Sequence, residues 1–324
     1  MKRSTRHLLF GIFPLLVLAL VGLGCDPLSQ FIIREESDWQ WGIVAADQAS
    51  RSAVIVSGQP GMESVFKWQW NPATDPNVRA EDVSAFQNIS ECKFRDDVAT
   101  LLVCASGGGV AGNDISTRRA EWYAKASRGV AGPHSLDLLP DGRVAVANST
   151  GCDALEIIDF ASAPLDPSKQ RRVRAVEIPG AHGVEWDFVR HSLFVLGYTN
   201  LYEFAYAPET MSVRELRRWN YVAACGDEFG HDLVPDGRGG YYMTNQSGVW
   251  RFDPGAGTFA SVRARRNVKS FSRDATKGDL LQVPTKKWWS DRLIVIDPDG
   301  NERTIGPFPG ARFYKARWER TEDR

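Results

Sequence analysis

Three histidines recur along the chain at nearly equal spacing. His134, His182 and His231 each follow a glycine by one or two residues, and the intervals between them are 48 and 49 residues. Neutral imidazole is a common ligand of Zn, Mn, Fe and Ni. If the fold brings the three side chains together, they could hold one divalent transition metal ion as a cofactor.

Lysines take the corresponding position in the neighbouring segments. Lys93 lies 41 residues before His134, Lys269 lies 38 residues after His231, and Lys315 lies 46 residues after Lys269. A core position would normally be apolar, because burying an ionisable group without a partner costs several kcal/mol. The six residues therefore favour a polar pocket that binds a ligand.

The segments around these residues are typical of short β-strands. Apolar runs of four to eight residues, such as Leu101–Ala105 and Ser192–Leu196, alternate with Gly, Pro and Asp turns from about residue 39 onward. A period of about 40–50 residues with four strands in each unit indicates a β-propeller. A β-sandwich, the alternative, does not explain the repeated phase.

We therefore predict an all-β, six-bladed β-propeller as a single domain over residues 39–324. The chain begins at Trp41–Ala46 with an apparent second strand and ends at Arg312–Trp318 with a first strand. These two strands should pair in one blade, which closes the ring and leaves no free edge.

In a propeller the first strand of every blade lines the central channel, so the six residues should face one axis. The lysines, with nearby arginines, predict an electropositive mouth that binds carboxylate, sulfate or phosphate groups. The predicted ligand-binding residues are Lys93, Arg95, Lys269, Arg312, Lys315 and Arg317. Carboxylates near the histidines could orient the imidazoles, although Asp232 directly follows His231 and should point to the other face.

The N-terminus predicts export. Three basic residues precede an uncharged apolar run from Leu8 to Gly24, and Cys25 follows directly. This is typical of a bacterial lipoprotein signal at residues 1–24, with Cys25 lipidated and residues 25–38 as a tether; an uncleaved membrane helix is the alternative. Removal of residues 1–24 leaves 300 residues with a net charge of −4, which argues against nucleic-acid binding.

An exported protein can form disulfides, so Cys92 and Cys104 on neighbouring strands could be bridged or free.

Several motifs resemble an uncharacterised bacterial family of exported, propeller-like proteins. They are Asp47–Ser50, Ser106–Ala111, Pro133–Ser135, Gly180–Asp187, Gly230–Leu233, Val268–Ser270 and Gly310–Trp318. This resemblance covers nearly the whole mature chain and implies no known activity. A looser similarity, based on the three histidines alone, is to oligogalacturonate lyases, which are propellers that hold manganese by axial histidines.

The sequence leaves three functions open, and with them the question whether the protein is an enzyme. The first is an envelope protein, expected to be monomeric, that binds an anionic small molecule or acidic oligosaccharide in the axial pocket. The second is a metal-dependent uronate lyase, in which the metal acidifies a proton next to a carboxylate and Lys269 or Lys315 acts as the base. The third is an envelope scaffold that binds another protein.

Overall fold

The chain folds into six four-stranded antiparallel sheets in a computed structural model. The structure describes residues 42–57, 65–95, 100–127, 130, 132–274, 278–285 and 288–318. The predicted signal peptide, Cys25 and the tether lie outside the described residues. Among the described residues, no helix is both long and apolar enough to span a membrane.

Blade 1 joins the two ends of the chain. Its strands, from the channel outward, are β24 (Phe313–Trp318), β1 (Ile43–Asp47), β2 (Ser52–Ser57) and β3 (Val65–Trp70). Antiparallel pairing of β1 with β24 closes the ring, as the sequence predicts. The closure removes an exposed edge that could otherwise pair with another chain.

The other five blades each use four consecutive strands. Blade 2 contains β4 (Ile89–Arg95), β5 (Thr100–Ala105), β6 (Gly109–Asp114) and β7 (Arg119–Lys125). Blade 3 contains β8 (Pro133–Leu138), β9 (Val144–Asn148), β10 (Ala154–Asp159) and β11 (Arg171–Glu177). Blade 4 contains β12 (Gly183–Asp187), β13 (Ser192–Leu196), β14 (Asn200–Ala207) and β15 (Ser212–Asn220). Blade 5 contains β16 (Asp232–Pro235), β17 (Tyr241–Thr244), β18 (Val249–Asp253) and β19 (Thr258–Arg263). Blade 6 contains β20 (Val268–Arg273), β21 (Leu280–Pro284), β22 (Leu293–Ile296) and β23 (Glu302–Ile305).

The first strands of neighbouring blades pack against one another around the ring, from β4 through β24 and back to β4. Helical structure in the described residues is limited to the single turn α1 (Val222–Cys225) and to 3₁₀ segments at Ala80–Phe86 and Pro167–Lys169. The predicted all-β, six-bladed propeller is confirmed.

Apolar side chains fill the spaces between neighbouring blades, and the described residues form six such clusters. Cys92 lies in the cluster between blades 1 and 2, and Cys104 lies in the cluster between blades 2 and 3. Across β4 and β5, Cys92 pairs with Val103 and Cys104 pairs with Glu91. Because successive strand residues point to opposite faces, the two cysteines face different clusters. Both thiols are free and buried, so the possible disulfide does not form.

Candidate functional site

His134 and Lys269 lie in β-bulges of the same kind, and a register shift in β24 spans Tyr314 and Lys315. In blade 3, Pro133 pairs with Asn148 and Ser135 with Ala147, which leaves His134 as the extra residue. Blade 6 repeats the arrangement around Lys269. A bulge bends the strand and redirects the extra side chain, here into the channel.

The other two histidines lie immediately before their strands. The backbone N–H of His182 donates to the carbonyl of Leu196, and that of His231 donates to the carbonyl of Thr244, each over 2.8 Å. Gly180, two residues before His182, has a φ of +61° and lies so close to the ring of Tyr198 that a Cβ would collide with it. Only glycine combines this backbone conformation with this close approach.

These local structures bring the three histidines and one lysine together. Ring centroids are 4.3 Å apart for His134 and His182, and 5.8 Å apart for His182 and His231. The ammonium of Lys269 lies 3.2 Å from Nδ1 and 3.4 Å from Nε2 of His231. Tyr314, which sequence reasoning missed, packs edge-on against His134 at 5.6 Å. We call His134, His182, His231, Lys269 and Tyr314 the axial layer.

Backbone carbonyls fix the orientation of two imidazoles. Nδ1 of His134 lies 2.8 Å from the carbonyl oxygen of Gly132. Nδ1 of His182 lies 3.0 Å from the carbonyl oxygen of Gly180 and 3.0 Å from Oγ of Ser149. A nitrogen that faces a carbonyl oxygen must carry the proton, so Nε2 of each neutral ring is left as an acceptor.

Burial keeps the axial layer in low-charge states. It lowers the pKa of His134 to about 3 and, together with the neighbouring His134, His231 and Lys269, holds the pKa of His182 well below its ordinary value. Burial and the charges of Lys269 and Lys315 likewise lower the pKa of His231. Burial, followed by the charge of Lys315, lowers the pKa of Lys269 to about 7. At neutral pH the imidazoles are therefore neutral, while Lys269 is close to half protonated.

A buried ion-pair network lies directly beneath the axial layer. Lys315 Nζ donates to the backbone carbonyls of His134 and His182 over 2.9 and 3.3 Å. The same ammonium lies 3.1 Å from Glu91 and 3.2 Å from Asp232. Burial lowers the pKa of Lys315, but these two carboxylates more than offset that effect, and the pKa lies above its ordinary value.

Arg317 completes this network and changes the interpretation of Asp232. Its Nη2 lies 2.9 Å from Glu91 and 2.5 Å from Asp232. The carboxylate of Asp232, considered from the sequence as a partner of the imidazoles, binds these two cations instead. The charges of Lys315 and Arg317 are thus paired inside the protein.

Lys93 does not lie level with the histidines. In β4 the extra residue of the bulge is Ser90, which corresponds to His134 and Lys269 in their own strands. Three residues further along the strand, Lys93 Nζ lies 2.5 Å from Glu185 Oε1 and 3.0 Å from the carbonyl of Val184. The predicted equivalence of Lys93 with the histidines is wrong because counting along the repeat does not fix depth in the channel.

A cavity of about 280 Å³ opens beside the axial layer. It is lined by His231, Gln246, Asn267, Lys269, Thr285 and Trp288. Among the described residues, Lys269 has no carboxylate within ion-pair distance. Its ammonium instead lies 5.4 Å from the ring centroids of both Trp288 and Tyr314. Trp288 is 64% exposed at the entrance.

Arg312 lies in the adjoining part of the mouth. Its side chain is exposed, and its guanidinium stacks 5.2 Å from the ring centroid of Trp289. The strand bridge between Ser290 and Phe313 holds this tryptophan segment beside β24. The side chain of Arg95, the last residue of β4, lies outside what the structure describes.

Of the three candidate metal ligands, His134 and His182 lie close together and His231 lies further from His182. In the described parts of the chain, no three His, Cys, Asp or Glu side chains are grouped closely enough to hold a metal ion. The ammonium of Lys269 lies within 3.4 Å of both ring nitrogens of His231. The metal-binding role of His134, His182 and His231 stays a prediction.

Solved structures that are similar to the chain have low sequence identity to it. A chain of the nidogen/laminin complex is 12% identical with a TM-score of 0.57, and the alignment covers 87% of this chain and 99% of that one. The β-propeller domain of Cps50 (Swd1) from Myceliophteria thermophila is 11% identical with a TM-score of 0.51, over 86% and 90% of the two chains. Hydrazine synthase from Kuenenia stuttgartiensis is 13% identical with a TM-score of 0.46, over 67% of this chain and 66% of that one. The first two similarities, with TM-scores above 0.5, concern the fold alone.

Family membership is supported by a match over nearly the whole sequence. A search of curated proteins found no match to the chain. The similarity to oligogalacturonate lyases expected from the three histidines is not shown by these comparisons. The model of a family of unknown function matches residues 7–322, which confirms the resemblance predicted from the motifs. The chain belongs to the family of unknown function DUF6528.

Proposed function

We propose that the protein is an exported, lipid-anchored propeller that binds a small acidic saccharide, or another hydroxylated carboxylate, at the mouth of its channel. The single observation that carries this proposal is the environment of Lys269. Its ammonium borders a cavity of about 280 Å³ and has no carboxylate partner among the described residues. A ligand carboxylate would supply that partner through a charge-assisted hydrogen bond.

The neutral imidazoles extend this specificity to hydroxyl groups. Nδ1 of His134 and of His182 faces a backbone carbonyl, so each Nε2 accepts hydrogen bonds. An acceptor repels a carboxylate but binds a hydroxyl donor. The donor of Lys269 and the acceptors of the histidines together match a ligand that carries both a carboxylate and hydroxyl groups.

The entrance adds an aromatic surface. Trp288 is 64% exposed beside Lys269, and a tryptophan face can pack against the apolar face of a sugar ring. Arg312, stacked on Trp289, provides a second cation at the rim. We assign ligand binding to Lys269 and the rim, and assign Lys93, Lys315 and Arg317 to the ion pairs that hold the channel together.

Calorimetric titration of the full chain with galacturonate and with galactose tests the proposal. Galacturonate should bind, and galactose should bind at least about ten-fold more weakly because it lacks the carboxylate. Lys269→Met should weaken galacturonate binding about ten- to a hundred-fold. Lys169→Met is the matched control, because it removes a lysine that is exposed on a distant turn.

Equal affinity for the two sugars, or unchanged binding by Lys269→Met, would contradict the proposed carboxylate site. Absence of galacturonate binding in the wild-type protein would overturn the saccharide proposal. The anchor is tested separately, since Cys25→Ser should move the protein out of the membrane fraction.

A metal-dependent uronate lyase is the second candidate. The backbone carbonyls that bind Nδ1 of His134 and His182 leave Nε2 free, which is the usual arrangement for a metal-ligating imidazole. Lys269 would be the base, because its pKa of about 7 makes the neutral amine available, whereas the pKa of Lys315 is raised. Stoichiometric metal that disappears in His182→Ala, together with chelator-sensitive formation of an unsaturated product, would favour this candidate.

A further inference from the structure

Few aromatic side chains are exposed in the part of the chain that the structure describes. Among the described residues, only three Phe, Trp or Tyr side chains are exposed: Phe229, Trp288 and Trp289. Trp288 lines the cavity beside Lys269, and Trp289 stacks on Arg312. Phe229 lies two residues before His231, and its ring contacts Tyr198, which neighbours His182, so Phe229 lies near the axial layer on the side of blade 4.

Phe229 is also held in a backbone conformation that phenylalanine disfavours. Its φ is +62°, in the left-handed region where bulky side chains are rare. Asn88, Gly180 and Asn267 occupy the same position in blades 2, 4 and 6, two residues before Ser90, His182 and Lys269, and they have φ values of 56°, 61° and 60°. Those three are residue types that tolerate this conformation. The phenylalanine is the exception in a repeated feature.

Burial does not explain the exception. Phe229 as a residue is 38% exposed, although its ring packs edge-on against Tyr198 with centroids 4.9 Å apart. The backbone N–H of Phe229 donates to the carbonyl of Tyr198 over 2.8 Å, a contact that any residue except proline could make. Tyr198 lies 6.4 Å from His182, which links Phe229 to the axial layer. Asparagine or glycine would suit the backbone better, and a polar residue would suit the exposure better.

Strained residues persist where the strained conformation serves a function. We propose that Phe229 is a specificity-determining residue that packs against the apolar face of a ring in a ligand bound at the axial layer. The preferred ligands are thereby narrowed to cyclic carboxylates such as uronic acids, which should gain a ring contact that open-chain polyanions lack. This inference rests on the proposed function.

The experiment compares a cyclic and an acyclic probe in the full chain. Wild type, Phe229→Asn and Phe229→Tyr are titrated with galacturonate and with citrate, and their melting temperatures are measured. We expect Phe229→Asn to weaken galacturonate binding about three- to ten-fold, with citrate binding changed less than about two-fold because citrate has no ring face. Phe229→Tyr should bind both probes as the wild type does, since it keeps the ring.

Stability separates a ligand contact from a packing role. Phe229→Asn relieves the strain, so its melting temperature should equal or exceed that of the wild type. The matched control is Asn88→Phe, which places a phenylalanine at the same exposed position of blade 2. Its melting temperature should fall while galacturonate binding is unchanged.

Three results would overturn the inference. In the first, Phe229→Asn binds galacturonate with the affinity of the wild type. In the second, its affinities for galacturonate and citrate fall equally. In the third, its melting temperature falls and that of Phe229→Tyr falls as well. If the wild-type protein binds neither probe, the proposed function itself fails and this inference fails with it. Failure of the inference alone is recognised by intact wild-type binding of galacturonate.

Discussion

Ligand binding should strengthen as the pH falls from 8 to 6. The group responsible is Lys269, whose pKa burial and the charge of Lys315 lower to about 7. The carboxylate of a uronic acid is ionised throughout this range, and His134, with a pKa of about 3, remains neutral. Only the charged form of Lys269 offers the ion pair, so affinity should follow its protonation.

The size of the effect follows from the titration of one group. With a pKa of about 7, the charged fraction of Lys269 is about nine tenths at pH 6 and about one tenth at pH 8. The dissociation constant should therefore rise about ten-fold over this range, which corresponds to about 1.4 kcal/mol. Below pH 6 the curve should flatten, because the lysine is then fully charged.

Calorimetric titration with galacturonate at constant ionic strength measures this dependence, since salt would screen the same interaction. Lys269→Met should bind weakly and show no dependence on pH, while Lys169→Met should follow the wild-type curve. A wild-type affinity that is flat between pH 6 and 8 would refute the assignment of the anion site to Lys269. The same slope in Lys269→Met would show that another group titrates.

Three further predictions concern stability and the rim. Lys315→Met leaves Glu91 and Asp232 with one buried cation fewer, and chemical denaturation should show a loss of about 3–5 kcal/mol in the free energy of unfolding. The buried histidines have lowered pKa values in the folded state, so the unfolded state takes up more protons and stability should fall as the pH drops below 6.5. The slope of the free energy of unfolding against pH should be smaller in His182→Gln by up to about 1.4 kcal/mol per pH unit, as measured by denaturation curves between pH 6.5 and 4. Trp288→Ala should weaken galacturonate binding about three- to ten-fold in calorimetry with an unchanged melting temperature, because its ring is exposed.

The fold could be predicted because a propeller repeats one local pattern. Each inner strand begins near the same motif, so the histidine spacing and the apolar runs that follow it indicate the blades directly. The closure was predictable for the same reason, because Arg312–Trp318 has the pattern of a first strand and the chain begins with a second. These signals are local in the sequence. They are sufficient here because each blade packs mainly on the blades next to it.

The depth of each side chain in the channel was not predictable from spacing. β4, β8 and β20 carry the same bulge, but the number of residues between equivalent positions differs from blade to blade, so a count along the repeat does not fix the register of a first strand. Spacing alone aligns Lys93 with His134, although Lys93 lies three residues beyond Ser90, the residue that corresponds to His134. The sequence does show Glu91 and Asp232 directly after Ser90 and His231, and a carboxylate at that offset in two blades is a signal that could have revealed the ion-pair network.

Lys269 and Lys315 show why residue type and phase alone do not define a site. Both project into the channel from first strands, yet Glu91 and Asp232 lie beside Lys315 and no described carboxylate lies beside Lys269. In the described ion-pair network, three cations (Lys93, Lys315, Arg317) face three carboxylates (Glu91, Glu185, Asp232), so its charges balance. Because the imidazoles of the axial layer are neutral, Lys269 is the residue that carries positive charge there. The same charge is costly to bury without a partner, which explains both its lowered pKa and its capacity to bind an anion.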